Sequence, residues 1–203
     1  MDTKSLPTKN NLIKIKNTIK QSKEGQMLLE QKKMILTKEL EKYVKDEEIL
    51  KSKGQEILDE AFYYLKLANM EIGIDDMIDI SDGVKVDDSI DIKYKTIMGV
   101  EIPSIVPEER EVNINYGLYN TTSSVDEAIL KFLEVKKYIL DLAQIENIIF
   151  RLTREIEKVQ RRSNALKEII IPNDEKIAQE IQEILDENER EEFIRLKKLK
   201  KKR

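Results

Sequence analysis

Apolar residues recur at alternating steps of three and four through the first third of the chain: Leu12, Ile15, Ile19, Leu29, Leu36, Leu40, Tyr43, Leu50, Ile57, Ala61, Leu65 and Ala68. The other positions of this register are Ser22, Gln26, Lys33, Glu47 and Gly54, so twelve of seventeen are apolar. A period of about 3.5 leaves one narrow apolar stripe, the pattern of a helix that winds around a partner helix. Pro7 precedes Thr8, whose hydroxyl can cap a helix, and no further proline occurs before Pro103. The pattern predicts one long helix in segment 1–70, from about Thr8 to Asn69. Some 60 residues at a rise of ~1.5 Å make a rod on the order of 90 Å long.

The pattern changes over 71–122. Gly73, Gly83, Gly99 and Gly117 fall here, with Pro103 and Pro107. Polar and apolar residues alternate in Ile90-Asp91-Ile92-Lys93-Tyr94-Lys95 and again in Val112-Asn113-Ile114-Asn115-Tyr116. A period of two predicts half-buried strands, here a small β-hairpin excursion. The Pro103–Glu109 stretch between them reads as a connection, and Val84-Lys85-Val86 as a third short strand. An isolated hairpin is marginal in water, so the excursion must lean on the helices or on a partner.

A second long helix is predicted over 123–203. Thr122, Ser123 and Ser124 offer caps, and Asp126 and Glu127 put acid in the first turn. Its stripe is Ala128, Phe132, Val135, Ile139, Leu142, Ile145, Ile149, Leu152, Ile156, Val159, Ser163, Leu166 and Ile170, with one short step near Leu142. Pro172 lacks an amide proton and restricts the residue before it. Ile171 is therefore expected to leave helical geometry or to kink the chain, after which Asn173 or Asp174 caps a renewed helix carrying Ile177, Ile181 and Ile184.

Neither stripe stays dry alone. The economical solution is an all-α-dominated fold, a long antiparallel two-helix coiled coil with a small β-hairpin excursion between the helices. With Asn69 opposite Ser124, paired numbers total about 193. Pro172 then faces the Ser22–Gly25 region, and the chain beyond about residue 185 projects past the first helix as a basic tip.

Composition supports a stalk and removes most chemistry. Of 203 residues, 37% are charged, only 5% are aromatic, and there is no Trp, a balance suited to long helices and not to a compact core. There is no Cys, which excludes disulfides and thiol catalysis, and no His, the usual general base and metal ligand. No Walker or dinucleotide glycine pattern is present, so no nucleotide, cofactor or metal is expected. The acidic run Asp75, Asp76, Asp79, Asp82, Asp87, Asp88 and Asp91 lacks calcium-loop spacing and reads as a solvated loop. The N-terminus lacks a signal-peptide stretch, and no run approaches a membrane span. The last nine residues, RLKKLKKKR, are nearly all basic and could suit an acidic cavity, nucleic acid, an anionic lipid surface, or solvent alone.

Three elements carry a resemblance. Pro7–Leu12 with Gly25–Lys32, then Arg161-Arg162-Ser163-Asn164-Ala165-Leu166-Lys167-Glu168-Ile169-Ile170-Ile171-Pro172, then Glu191–Lys200 together resemble the D subunits of V-/A-type ATPases. Lys167 stands where that family often has Glu. The resemblance covers essentially the whole chain. It implies a non-catalytic central-stalk rotor component carrying torque between the nucleotide-hydrolysing head ring and the ion-translocating membrane rotor. The implied partners are the catalytic and non-catalytic A and B subunits of the head ring, the small F subunit of the stalk and the funnel-shaped C (or d) subunit. The resemblance further implies no nucleic acid, no direct membrane insertion, and a cytoplasmic location peripheral to the membrane. The alternative is a generic coiled-coil adaptor or export-apparatus stalk.

Within that frame, partner contacts are expected at Gly25, Arg154, Arg161, Arg162, Asn164, Pro172, Phe193, Arg195, Lys197, Lys198 and Lys200. Gly25 reads first as a close-packing site, ahead of a swivel. Arg151, Arg154, Arg161 and Arg162 read first as intrahelical partners of Glu155 and Glu157, with contact to acidic ring loops as the functional alternative.

Overall fold

The computed structural model describes residues 6–83, 90–107 and 122–201. In chain order the elements are α1 (Lys9–Ile72), α2 (Ile74–Gly83), β1 (Ile90–Ile97), β2 (Val100–Pro107), α3 (Ser123–Ala165), a π-helical turn (Leu166–Ile170) and α4 (Ile171–Lys201). They form two compact units, one of Met1–Ile35 with Ile156–Arg203 and one of Leu36–Glu155.

Helix α1 starts as its sequence predicts. The Asn11 amide donates to the Thr8 hydroxyl oxygen at 3.2 Å, and Asn11 Nδ2 donates to the Leu6 carbonyl at 3.1 Å. The first turn thus finds acceptors outside the helix. At the other end Gly73 adopts φ +97° and donates its amide to the Asn69 carbonyl at 3.1 Å. That left-handed conformation costs a side-chain-bearing residue and is the usual way a helix stops at glycine.

In the Leu36–Glu155 unit, α1 and α3 run antiparallel. Lys51 pairs with Glu146 at 3.4 Å, the Phe62 and Phe132 rings meet edge to face at 5.8 Å, and Lys131 reaches Glu60 at 2.8 Å. Leu36, Ala61 and Ala68 of α1 are buried, as are Val125, Ala128, Val135, Tyr138, Ile148 and Leu152 of α3. Two seats differ from the expected stripe. Tyr138 is buried while Ile139 is 51% exposed, and Ile148 is buried in place of Ile149. The first change has a clear cause: the Tyr138 ring lies over Gly54, which has no side chain to obstruct it.

In the other unit, α1 and α4 are antiparallel as well. Lys9 pairs with Glu189 at 2.7 Å, Lys16 with Gln182 at 3.3 Å and Lys23 with Glu175 at 2.7 Å. Each pair of numbers totals 198, against the expected 193 or so, which sets Pro172 level with Gln26 and not with Ser22–Gly25. Leu12, Ala178 and Ile181 form the buried cluster, with Ile15, Ile19, Ile177 and Leu185 packed against it.

The expected departure of Ile171 from helical geometry does not occur: it keeps φ −60° and ψ −49° and donates its amide to the Leu166 carbonyl, five residues back. In a regular α-helix the Pro172 ring would strike the carbonyl four residues earlier. A π turn widens the backbone ahead of the proline and lets the helix continue. The inserted residue also shifts the stripe by one, so Ile170 is 41% exposed and Ile171 only 7%.

Two further expectations in the 71–122 segment are corrected. Residues 74–83 form helix α2, with Asp75 and Asp76 in its first turn, so the leading part of the acidic run is helical and not a loop. The stretch read as a connection supplies β2, which pairs antiparallel with β1 from Ile97↔Val100 to Ile90↔Pro107. The two strands are joined by Met98 and Gly99, both at positive φ (50° and 82°), the backbone of a tight two-residue hairpin turn. The strands expected at 84–86 and 112–116 lie outside the described residues.

Gly25 corrects another expectation. A Cβ built there would meet nothing within 4 Å, so this glycine does not serve close packing within the chain. Gly25→Ala is therefore expected to raise the stability of the isolated chain by roughly 1 kcal/mol, the usual cost of glycine in a helix interior. Thermal unfolding checks this, and a lowered midpoint would contradict it.

Candidate partner interface

Two regions concentrate exposed functional side chains: the C-terminal end of α4, and the α2 and hairpin end of the Leu36–Glu155 unit. The α4 end follows from the pairing. Glu189 lies opposite Lys9, the first residue of α1, and α4 continues to Lys201, about three further turns. Every residue from Asp186 to Lys201 is exposed. Phe193, Ile194, Leu196 and Leu199 are 67%, 52%, 60% and 65% exposed, a density of large apolar groups that a purely solvated tail does not need. They are interleaved with Arg195, Lys197, Lys198 and Lys200. Lys198, Lys200 and Lys201 occupy the last turn, where positive charge complements the carbonyl end of the helix. Arg195 pairs with Glu191 at 3.0 Å and Arg190 with Glu187 at 3.6 Å, exposed pairs worth only tenths of a kcal/mol.

The expected interface residues do not form one patch. Phe193, Arg195, Lys197, Lys198 and Lys200 lie together on the α4 end. Arg161, Arg162 and Asn164 lie exposed on the last turns of α3, just before the π turn, with Pro172 half-buried just after it. Asn164 accepts from Gln160 Nε2 at 2.6 Å, and Arg161 Nε donates to the Glu157 carbonyl at 3.4 Å. Gly25 is half-buried on α1, and Arg154 is exposed on α3 in the other unit.

Arg151 does something the sequence did not indicate. Its Nη1 donates to the Glu101 carbonyl at 2.9 Å, and its guanidinium stands 5.5 Å from the Tyr94 ring centroid. Gln144 Oε1 accepts from the Ile105 amide at 2.6 Å. These contacts have a structural logic. Ile97 and Val100 close the turn as a hydrogen-bonded pair, so alternation turns the backbone groups of Glu101, Pro103 and Ile105 away from β1. That free edge is met by two α3 side chains, and Pro103 sits where no ladder donor is required. Val100 and Ile102 are buried, which seats the hairpin. Arg151→Ala is expected to cost about 1–2 kcal/mol locally, seen as roughly tenfold faster amide exchange in β2 with α3 protection unchanged. Equal exchange in both chains would remove the anchoring role.

Where α2 meets the other helices of this unit, Leu65 of α1, Met77 and Ile80 of α2 and Val125, Ala128 and Phe132 of α3 line an open apolar recess of about 260 Å³. Met70, Ile74 and Ile78 are exposed nearby in sequence at 75%, 67% and 52%. On α2, Asp75, Asp76, Asp79 and Asp82 are all exposed. The Glu71 carboxyl at the end of α1 is held below its ordinary range by the neighbouring Thr122 and Ser124 hydroxyls at the α3 start. The recess was hidden in the sequence because it needs α2. The signal for α2 was a helix-stopping Gly73 followed by acid and then Met77 and Ile80 at three-residue spacing.

No helix among the described residues is long and apolar enough to cross a membrane. Comparison with known proteins matches residues 11–201 to the family model of the ATP synthase D subunit. A V-type ATP synthase D subunit of Thermotoga neapolitana is 35% identical over 196 residues, covering 97% of each chain. An A-type ATP synthase D subunit of Pyrococcus horikoshii is 39% identical over 197 residues, covering 96% of this chain and 92% of its own. One from Methanopyrus kandleri is 34% identical over 196 residues, covering 96% and 84%. With a family match over almost the whole length, and antiparallel helix pairing in both units, the chain belongs to the ATP synthase D subunit family, the non-catalytic central-stalk components of rotary V-/A-type ATPases.

Proposed function

We propose that the chain carries torque through its paired helices between a head ring of A and B subunits and the membrane rotor. In this reading the exposed end of α4 enters the head ring, and further contacts go to the small F subunit and the funnel-shaped C (or d) subunit. The complex then sits on the cytoplasmic side, peripheral to the membrane. The observation that carries the reading is the bare end of α4. It holds four large apolar side chains among basic ones, on a helix whose earlier turns are zipped against α1. Basic groups steer such an end into an acidic mouth, and the apolar groups gain about 25 cal/mol per Å² once covered. Antiparallel helices with a buried seam resist sliding and twisting because each seat is filled at close packing.

Deleting residues after Arg195 tests this. The shortened chain is expected to fold with an unchanged unfolding midpoint, since every deleted residue described is exposed. Reconstituted into the complex, it is expected to lower head affinity or torque several-fold. Unchanged affinity and torque would move the head contact elsewhere, and an unfolded chain would refute the bare-end geometry.

A further inference from the structure

The π turn has a counterpart in the pattern of α4. Three apolar neighbours repeat at seven-residue spacing: Ile170 with Ile171, Ile177 with Ala178, and Ile184 with Leu185. The observed seat uses the second of each pair. Ile171 and Ala178 are buried at 7% and 8%, and Leu185 packs on the cluster. In the outer two pairs the first residue is left outward, with Ile170 at 41% exposed and Ile184 at 45%, while Ile177 packs against the cluster beside Ala178. A narrow coiled-coil seam needs one such column, so the second column offers the helix another seat, one residue away.

The π turn is what separates them. From Ser163 and Leu166, regular α-helical steps lead to Ile170, Ile177 and Ile184. The one-residue insertion at Leu166–Ile170 leads instead to Ile171, Ala178 and Leu185. Resorbing the insertion would turn α4 by about 100° about its own axis and shift it by ~1.5 Å. Two groups hold the observed seat. Pro172 opposes the regular α-helix, because its ring would meet the carbonyl of Glu168. A one-residue rotation would also bring Glu180 to the place of Ile181, which is 2% exposed in the observed seat. We propose that the π turn is a two-position register element, set by Pro172, through which α4 rotates on α1 by one residue. Its use in a rotor, to take up twist as load changes, rests on the function proposed above; the register change itself does not.

The absence of cysteine makes this directly measurable in the full-length chain. In the observed seat Lys23 faces Glu175, and in the rotated seat it would face Asp174. Two double variants, Lys23→Cys with Glu175→Cys and Lys23→Cys with Asp174→Cys, are treated with a short bifunctional thiol reagent. Each is made with Pro172 and with Pro172→Ala. All the replaced side chains except the proline lie at or near the surface, so folding should survive, and circular dichroism checks this. With Pro172 present, the 23–175 pair is expected to link faster. With Pro172→Ala, the ratio of 23–174 to 23–175 linking is expected to rise at least threefold. A ratio unchanged by Pro172→Ala in folded chains would overturn the two-position element. Because the test uses the isolated chain, it can fail while the rotor reading stands. Loss of coupling in the assembled enzyme with an altered ratio would support both.

Discussion

Leu152→Asp is expected to dismantle the α1–α3 seam. Leu152 has no exposed surface and lies well inside α3. Removing a buried leucine costs about 2–5 kcal/mol, because part of the cavity stays open. A carboxylate left there unpaired adds several kcal/mol, or must take up a proton at the cost of a raised pKa. A domain has only about 5–15 kcal/mol in total. The variant should therefore lose most of its cooperative unfolding transition and fail to enter the complex. Leu152→Ala, costing about 2–5 kcal/mol, tests stiffness more gently: assembly retained, unfolding midpoint lowered and fewer ions moved per ATP. Ile156→Asp should do less, since Ile156 is only half-buried. Full coupling in an assembled Leu152→Ala enzyme with a lowered midpoint would count against seam stiffness as the carrier of torque.

Gly54 should show the second large effect, opposite in sign to Gly25. A Cβ at Gly54 would fall within the Tyr138 ring, so either the ring or the helix must move. Overpacking of this kind costs about 1–3 kcal/mol even for small additions, and Gly54→Leu should exceed that range. Helix propensity pulls the other way, by about 1 kcal/mol in favour of alanine. Gly54→Ala is thus expected to destabilise the chain while Tyr138 is present. In a Tyr138→Ala background the same change should stabilise it. That reversal in a double-mutant cycle isolates the contact. An effect of Gly54→Ala that is the same in both backgrounds would show that the ring is not held over the glycine.

Much of this architecture was legible as periodicity. The stripe from Leu12 to Ala68 located the face of α1, because a helix that must bury one side repeats its apolar residues near its own pitch. The Thr8 cap was visible because capping is a local matter of one hydroxyl and one amide. Alternation marked β1, and the absence of His, Cys and phosphate loops argued against catalysis by this chain. The α4 end was legible as basic and apolar from Arg195 onward, and the full-length resemblance to the D subunits of rotary ATPases pointed to the function.

The tertiary structure decided the points at which two elements compete for one space. Periodicity offered Ile139 for this seat, and the vacancy at Gly54 on the facing helix selected Tyr138 in its stead. Proline chemistry predicted a break at Ile171, but packing of Ile171, Ala178 and Ile181 on α1 holds the helix together through a π turn. Strand β2 reads poorly alone because its two prolines mimic a linker. It is a strand because β1 pairs with one edge while Gln144 and Arg151 of α3 satisfy the other. Arg151 itself looked like one more helical surface charge, since nothing local reveals that a hairpin carbonyl and a tyrosine ring will stand beside it. Sequence by itself determined what each segment must bury, because that is set by side-chain chemistry and helical or strand period. Only the fold decided which residue of an adjacent pair turns inward, because that depends on the space left by the facing element.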